Sequence, residues 1–249
     1  MKNKKIRLNK FIAYSGLCSR RQADKLINLG LISVNNIIIK KMGYKINFND
    51  NVKYNETKIK IIDKYIYILI NKPKNCITTV KDNLNRKTIL FFIPNKYKKK
   101  FRIYPVGRLD KNTTGILLLT NDGYLSNKLL HPKYKINKIY KIILNKNLDL
   151  YSIIKIKKGI KLKEGVIKIK KIIINKNKKN IIHLYINLGW NRIIHRIFNK
   201  LGYKILYLQR INFGGLKINK YIKKEGKYII LSKKKIYKII QKNEKNNYY

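Results

Sequence analysis

Acidic residues are scarce in this chain of 249 residues. It has 11 Asp and Glu residues against 60 Lys and Arg residues, which gives a formal net charge of +49. A surface with this charge attracts polyanions over long distances at low ionic strength. The composition therefore suggests nucleic acid as the first partner to consider.

Cysteine and histidine are also rare, with two and three residues respectively. Cys18 and Cys76 are too few for a disulfide framework, and no Cys or His cluster has metal-ligand spacing, so we expect no metal site and a reducing compartment. No apolar run approaches the ~18 residues of a membrane span, and no apolar segment follows the charged N-terminus as in a signal peptide. The sequence predicts a soluble, cytoplasmic protein that does not associate with membranes.

Arginine is rare as well, with nine residues. Its planar guanidinium group offers five donors to phosphates and stacks on flat groups, which Lys cannot do. Six of the nine arginines lie in segments that other features single out: Arg20, Arg21, Arg108, Arg192, Arg196 and Arg210. These six are the best candidates for contact with a nucleic acid.

The length and the 45% of hydrophobic residues allow one large or two smaller domains with a real core. A polar segment at residues 48–58 separates two different patterns. We therefore expect a small unit at residues 7–62, a larger unit at residues 65–241 and a basic, polar tail at residues 242–249.

Local signals define the small unit. An apolar helical face comes first, and Ser19 then begins a second helix with Gln22 as its capping-box partner. Two short apolar runs on either side of an Asn35-Asn36 turn predict two strands.

The second helix of this unit carries a basic outer face formed by Arg20, Arg21 and Lys25. In an ordinary protein these residues would form a solvated helix surface. Cations at a helix N-terminus oppose the helix dipole, however, and are easier to understand if a phosphate lies there. We therefore predict that this face contacts the phosphates of a nucleic acid.

The larger unit has many strands and few helices, which favours a mixed or antiparallel sheet over a doubly wound one. The pattern predicts strands near residues 65–71, 76–80, 102–106, 115–120, 138–145, 166–174, 181–188, 204–211 and 227–231. It predicts helices near residues 123–131, 148–156 and 191–201, and a basic helix from Ser232 onwards. Both units together place the chain in the α+β class.

The segment GRLDKNTTGILLLTNDG, from Gly107 to Gly123, contains the strongest candidate for chemistry. Asp110 lies on a loop that leads into the apolar run Ile116–Leu119, and the Gly, Asn and Thr residues of this loop favour tight, hydrogen-bonded turns. An Asp beside Gly usually forms a turn. In this strongly basic chain, flanking cations favour the ionised carboxylate, which makes it a candidate nucleophile.

Several motifs resemble, in order and spacing, those of pseudouridine synthases that modify ribosomal RNA: GRLD at residues 107–110, TNDG at 120–123, LHP at 130–132 and KIY at 138–140. Residues 7–36 resemble the S4-type RNA-binding domain that one branch of this family carries at its N-terminus. Within that branch, the segment VGRLDKNTTGILLLTNDGYLSNKLLHP is most similar to the large-subunit enzymes of type B. The resemblance implies an S4-type domain followed by a mixed, largely antiparallel α/β catalytic domain.

The resemblance also implies a reaction and its residues. The uracil of one uridine is detached from ribose C1′, turned in the pocket and rejoined through C5, without metal or cofactor. Asp110 assists by attacking or stabilising the sugar or the base, Tyr140 stacks on the extruded uracil, and Arg108 fills the space that the base leaves. The other implied positions are RNA contacts by Asn191 and Arg192, and pocket walls formed by Leu109, Arg210 and Leu216.

The third predicted helix of the larger unit departs from the family pattern. The family has a basic residue, Gln and Arg where this chain has Trp190, Ile193 and His195. That Arg is the residue that the family pairs with its catalytic Asp. Either His195 takes this role as a cation, or the neighbouring Arg196 reaches Asp110 after a small rotation of the helix, or the activity is reduced. A His partner predicts a pH-sensitive enzyme, because imidazole titrates near neutrality.

The sequence predicts a monomeric pseudouridine synthase whose partner is ribosomal RNA, most readily that of the large subunit or its assembly precursor. One alternative is a catalytically weakened S4-domain protein that binds or assembles ribosomes, which the three departures favour and the intact GRLD loop opposes. Another is a synthase for small-subunit RNA. A basic protein with general nucleic-acid affinity would explain the charge but not the motifs.

Overall fold

The computed structural model of the chain describes residues 5–169 and 171–245. Its N-terminal part consists of β1 (Ile6–Arg7), α1 (Leu8–Tyr14), α2 (Arg20–Asn28), β2 (Ile32–Val34), β3 (Ile37–Ile38), β4 (Lys45–Ile46), β5 (Val52–Tyr54) and β6 (Thr57–Lys58). A four-stranded antiparallel sheet has the order β3-β2-β5-β6, and β1 pairs with β4. The apolar faces of α1 and α2 pack with residues of this sheet in one core cluster.

The helix cap and the turn of this part form where the local sequence predicts them. Ser19 Oγ accepts a hydrogen bond from the backbone N–H of Gln22, and the Gln22 side chain accepts one from the N–H of Ser19, which confirms the capping box. Asn35 and Asn36, between β2 and β3, have φ angles of 51° and 68°. Asn adopts this left-handed conformation more readily than most residues, so the predicted turn is also confirmed.

The larger part begins after residue 65. Its strands are β7 (Tyr67–Lys72), β8 (Tyr104–Pro105), β9 (Thr114–Thr120), β10 (Lys138–Leu144), β11 (Ile160–Leu162), β12 (Gly165–Ile167), β13 (Lys171–Ile174), β14 (Ile181–Ile186), β15 (Ile205–Phe213), β16 (Leu216–Lys217) and β17 (Tyr228–Leu231). Its helices are α3 (Asn95–Lys100), α4 (Gly123–Leu130), α5 (Leu150–Lys158), α6 (Ile193–Lys200) and α7 (Lys233–Lys245), with 3-10 turns at Ile89–Phe92, Pro132–Tyr134 and Lys220–Ile222. The predicted tail begins inside α7, and residues 246–249 lie outside the described residues.

A nine-stranded sheet organises this part of the chain. Its order is β13-β14-β10-β15-β9-β7-β17, with β8 paired to β9 and β16 paired to β15. Neighbouring strands are antiparallel except β15 and β9, which are parallel. The predicted α+β class and the mixed, largely antiparallel sheet are confirmed.

The parallel pair brings two backbones into close contact at Gly115. Gly115 is the register partner of Arg210 and has a φ of +108°. A Cβ atom at Gly115 would lie 2.2 Å from the carbonyl oxygen of Arg210, so no other residue fits without movement of the backbone. Because the Asp110 loop runs directly into β9, this contact fixes one end of that loop at the centre of the sheet.

The prediction of a strand at residues 76–80 is wrong, because this segment forms only an isolated bridge. Two of its polar groups bond to the Asp110 loop, and Ile77 bonds to Lys87 and Ile89. The N–H of Cys76 donates to the carbonyl oxygen of Lys111, and the hydroxyl of Thr78 donates to the carbonyl oxygen of Leu109. The segment therefore supports the loop.

Other boundaries also differ from the predictions. The strand at 102–106 shortens to β8, and the strand at 166–174 divides into β12 and β13. The helix at 191–201 begins two residues later than predicted, because Arg192 has a left-handed φ of 45° and serves as its N-cap. The pattern gave no sign of α3, which is rich in Lys and has no buried residue, or of β11.

Replacement of Gly115 by Ala should destabilise the larger part strongly. We expect the free energy of unfolding to fall by at least about 3 kcal/mol, because the new Cβ atom meets backbone atoms that cannot move aside. Gly202→Ala is the matched control, since Gly202 has a φ of +77° but nothing lies within 4 Å of an added Cβ atom; its expected cost is about 1 kcal/mol. Urea unfolding followed by circular dichroism measures both, and equal losses would contradict the argument.

Candidate active site

A cavity of about 510 Å³ opens where the Asp110 loop, β10, β15 and the N-terminus of α6 meet. It brings together most of the site residues predicted for this part of the chain. Its lining includes Arg108, Leu109, Asp110, Lys138, Tyr140, Trp190, Asn191, Arg192, His195 and Arg210. Arg196 and Leu216 are not among the residues that line it.

The Asp110 loop is anchored on both sides of the carboxylate. The hydroxyl of Thr78 donates to the carbonyl oxygen of Leu109 at 2.8 Å and accepts from the N–H of Leu109 at 3.2 Å. The N–H of Thr113 donates to the backbone carbonyl oxygen of Asp110 at 3.1 Å. Leu109 is buried whereas Asp110 is exposed. The loop therefore holds its backbone rigidly and presents one carboxylate to the cavity.

A buried lysine ties this loop to the sheet. Lys72, the last residue of β7, has no exposed surface, and its Nζ donates to the carbonyl oxygens of Pro73, Lys111 and Thr113 at 3.0, 3.1 and 2.8 Å. Burial lowers the pKa of Lys72 to about 8. The sequence analysis did not predict that Lys72 supports the site. The signal that could have indicated it was a Lys at the end of an apolar strand.

Tyr140 and Arg210 are register partners on β10 and β15, and both line the cavity. The guanidinium group of Arg210 lies 4.5 Å from the ring centroid of Phe213, and its Nε donates to the carbonyl oxygen of Ile116 at 2.8 Å. Burial lowers the pKa of Arg210, and the nearby hydroxyl of Tyr140 opposes this change. Arg210 is only 2% exposed, so it forms a fixed support behind Tyr140.

Helix α6 presents the last group of predicted residues. Its apolar residues Ile193, Ile194, Ile197 and Phe198 are buried. Asn191 and Arg192 are exposed at its start. Arg192 has a left-handed backbone where the chain enters the helix, and it lines the cavity.

His195 and Arg196 point to different surroundings. His195 is half-buried and lines the cavity. Burial and the charge of Arg192 lower the pKa of His195, whereas the carboxylate of Asp110 raises it. Arg196 donates two hydrogen bonds to Glu164 in the β11–β12 turn, at 2.8 and 2.9 Å. The structure therefore places His195, and not Arg196, on the cavity that Asp110 also lines.

Two groups of predicted residues lie elsewhere. Leu216 is 1% exposed and packs in a core cluster with residues of α4 and α7, outside the cavity. Arg20, Arg21 and Lys25 are exposed on α2. Among the described residues, no group of three or more His, Cys, Asp and Glu residues could hold a metal ion, and no helix is long and apolar enough to cross a membrane.

The cavity holds an exposed carboxylate and a tyrosine among several cations, an arrangement that suits an enzyme acting on a base taken out of its RNA stack. Comparison with known proteins identifies the kind. The family described as RNA pseudouridylate synthase matches residues 66–202, and the S4 domain matches residues 6–52. The chain therefore belongs to the RNA pseudouridylate synthase family, whose members are isomerases, and the predicted family is confirmed.

Individual relatives agree with this assignment. The ribosomal large subunit pseudouridine synthase B of Bacillus subtilis (strain 168) is 37% identical over 217 residues, which cover 85% of this chain and 87% of that protein. A protein of Borreliella burgdorferi named uncharacterized RNA pseudouridine synthase is 33% identical over 246 residues, covering 97% and 96%. A crystal structure of a pseudouridylate synthase, 29% identical, superimposes with a TM-score of 0.65 and covers 94% of this chain and 99% of that one.

Replacement of Lys72 by Met should impair the loop more than the fold. The carbonyl oxygens of Lys111 and Thr113 would lose their buried donor, so we expect a loss of about 2–4 kcal/mol in unfolding free energy and about 100-fold in pseudouridine formation as Asp110 is displaced. Lys74→Met is the control, because Lys74 is nearby and exposed; it should change neither the unfolding free energy nor the rate of pseudouridine formation. Thermal unfolding and an RNA modification assay at a temperature where both variants are folded measure the effects. Full activity in Lys72→Met would refute the role of Lys72.

Proposed function

We propose that this protein is a ribosomal RNA pseudouridine synthase that converts one uridine of large-subunit RNA. The observation that supports this most directly is the placement of Asp110 and Tyr140 on one cavity, the first on a rigid loop and the second on β10. The similarity to a large-subunit synthase of type B supports the choice of substrate. The excess of positive charge suits a large, structured RNA.

The reaction is an isomerisation, so it consumes no second substrate. The bond between N1 of uracil and C1′ of ribose breaks, a bond between C5 and C1′ forms, C5 loses its proton, and N1 gains one. Asp110 acts as the nucleophile in the proposed mechanism, and Tyr140 stacks on the base while it turns. Because the target must leave its stack, Arg108, which is exposed beside Asp110, occupies the vacated space. No metal or cofactor takes part.

The S4 domain and the start of α6 would bind the RNA around the target. The exposed Arg20, Arg21 and Lys25 of α2 and the exposed Asn191 and Arg192 at the cavity entrance are suited to phosphates. A single chain contains both the RNA-binding face and the cavity, so we propose that the protein acts as a monomer in the cytoplasm.

A second function deserves a test because His195 stands where the family has Arg. A catalytically weakened protein that binds or assembles ribosomes would keep the S4 surface and lose the conversion. A synthase specific for small-subunit RNA is the third possibility. All three are distinguished by mapping pseudouridines in both ribosomal RNAs.

Asp110→Asn should abolish pseudouridine formation without affecting the fold. The change keeps the size and polarity of an exposed side chain but removes its nucleophilic charge. Purified protein is incubated with unmodified large- and small-subunit RNA, and modified sites are mapped chemically. The wild type should produce one new pseudouridine in large-subunit RNA, and Asp110→Asn should produce none. The control Asp63→Asn changes another exposed carboxylate and should behave like the wild type. Tight RNA binding without any site would favour the assembly protein.

The double variant Arg20→Gln/Arg21→Gln should bind RNA more weakly while the modification step stays intact. Loss of two phosphate contacts lowers the slope of log affinity against log salt by about 1–2. Lys234→Gln/Lys235→Gln removes the same charge from an exposed part of α7 and should change the slope less. Filter binding at several salt concentrations gives the slopes, and identical slopes for the two double variants would contradict a specific role for α2.

A further inference from the structure

The motif TNDG, residues 120–123, has no part in the proposed reaction. It lies at the opposite end of β9 from the Asp110 loop, and its four residues are not among those that line the cavity. Two of its residues contact the linker between β6 and β7, residues 59–66, which joins the S4 domain to the larger part. A third contacts the S4 domain directly. The contacts of this motif therefore concern how the two parts of the chain are held together.

The linker is attached to the S4 domain at the end of α1. The N–H of Ile62 donates to the carbonyl oxygen of Tyr14, the last residue of α1, at 3.1 Å. The same isoleucine packs over Gly16, where an added Cβ atom would lie 2.5 Å from its Cδ1 atom. Because Tyr14 also packs against the core cluster of the S4 domain, the linker follows any movement of α1.

Asn121 attaches the other end of the linker to β9. Its Oδ1 accepts a hydrogen bond from the N–H of Ile66 at 2.9 Å, and its Nδ2 donates to the carbonyl oxygen of Lys64 at 3.0 Å. The hydroxyl of Thr120 donates to the carbonyl oxygen of Ile66 at 2.6 Å. One side-chain amide thus uses its donor and its acceptor on two backbone groups of the linker, which an ionised Asp of the same shape cannot do.

Tyr14 rests directly on Gly123, the first residue of α4. A Cβ atom added to Gly123 would lie 2.5 Å from Cε1 of the Tyr14 ring and 3.3 Å from the hydroxyl oxygen of Tyr104. The φ angle of Gly123 is not left-handed, so the backbone itself would accept a side chain. The ring from the S4 domain, and not the local conformation, therefore requires a glycine at this position.

Asp122 holds the start of α4 in place beneath this ring. It is 2% exposed, and its Oδ1 accepts from the N–H groups of Tyr124 and Leu125 as the N-cap of the helix. Its Oδ2 accepts from the hydroxyl groups of Tyr67 on β7 and Tyr237 on α7, at 2.8 and 3.0 Å. The surface beneath the ring is therefore fixed to β7 and α7 as well as to α4.

We propose that residues 120–123 form a joint that fixes the S4 domain relative to the cavity, with Asn121 and Gly123 as positioning residues for the RNA. An RNA held on α2 then presents one uridine to Asp110, because the joint sets the distance and the orientation between the two binding surfaces. Surfaces at a fixed separation favour an RNA whose features match that separation, whereas a loose tether does not. This inference rests on the proposed function and concerns which uridine reaches the cavity.

Hydrogen exchange in the free full-length protein tests the joint without RNA. Asn121→Ala removes both amide bonds to the linker, so the N–H of Ile66 should exchange at least about tenfold faster. Gly123→Ala should accelerate exchange at Ile62, because the displaced ring carries the end of α1 with it. Asn127→Ala is the control, since Asn127 is exposed on α4, and it should leave the exchange of the linker unchanged.

A double-mutant cycle tests whether Gly123 acts through the ring of Tyr14. Ala is a better helix former than Gly, so Gly123→Ala should not unfold α4. On full large-subunit RNA, Gly123→Ala and Tyr14→Ala should each lower kcat/KM for pseudouridine formation about tenfold. The double variant should be no slower than Tyr14→Ala alone, because the added methyl group then has no ring to displace.

A short RNA separates positioning from chemistry. It carries the mapped uridine but is too small to reach α2 and the cavity together. For this RNA, kcat/KM of Asn121→Ala and Gly123→Ala should stay within about twofold of the wild type, since neither change touches the cavity. On the full RNA, both variants should also form pseudouridine at additional uridines, because a loosened S4 domain no longer selects one position. A role in stability alone would produce no new sites.

Three results would overturn the inference: unchanged exchange of the linker in both variants, additive losses in the double-mutant cycle, or equal losses on the full and the short RNA. If the wild type forms no pseudouridine in either RNA, the proposed function fails, and the exchange rates decide the inference about the joint alone. Faster exchange in both variants would then support the joint, and unchanged exchange would refute it.

Discussion

The parallel contact between β15 and β9 is the constraint on which the site depends. The backbones of Gly115 and Arg210 lie so close there that no side chain fits at Gly115. The Asp110 loop is therefore fixed to the centre of the sheet where it enters β9. The next strand beyond β15 is β10, which adds Tyr140 opposite Arg210. The Asp110 loop thus enters the sheet two strands away from the strand that carries Tyr140.

Charge has two separate functions in this molecule. On the outer surface, a large excess of lysine attracts RNA without selecting a base. In the cavity, the same sign of charge would give the carboxylate of Asp110 many possible partners. Backbone carbonyl oxygens reduce this number, because they engage Lys72 below the loop, Lys138 at the wall and Arg210 behind Tyr140. The cavity therefore presents one carboxylate among several cations, within the described residues that line it.

Sequence reasoning succeeded where the determining interaction is local or the motif is long. The capping box at Ser19 joins residues three positions apart, and it was predicted in full. It failed at residues 76–80, which resemble a strand but bond to a loop distant in the chain. The role of Lys72 and the pair of Arg196 with Glu164 depend on such distant contacts too. No periodicity in the sequence encodes them.

The departures at positions 190 and 193 act together in the packing of α6. Ile193, where the family has Gln, is buried in the core cluster under α6, and Trp190 packs against the same cluster. Both changes exchange polar for apolar contacts and hold the start of α6 in place. With Arg196 paired to Glu164 on the far side, the helix has little freedom to rotate. Movement of Arg196 into the cavity would therefore break its pair with Glu164, and His195 is the one of these two neighbours that lines the cavity.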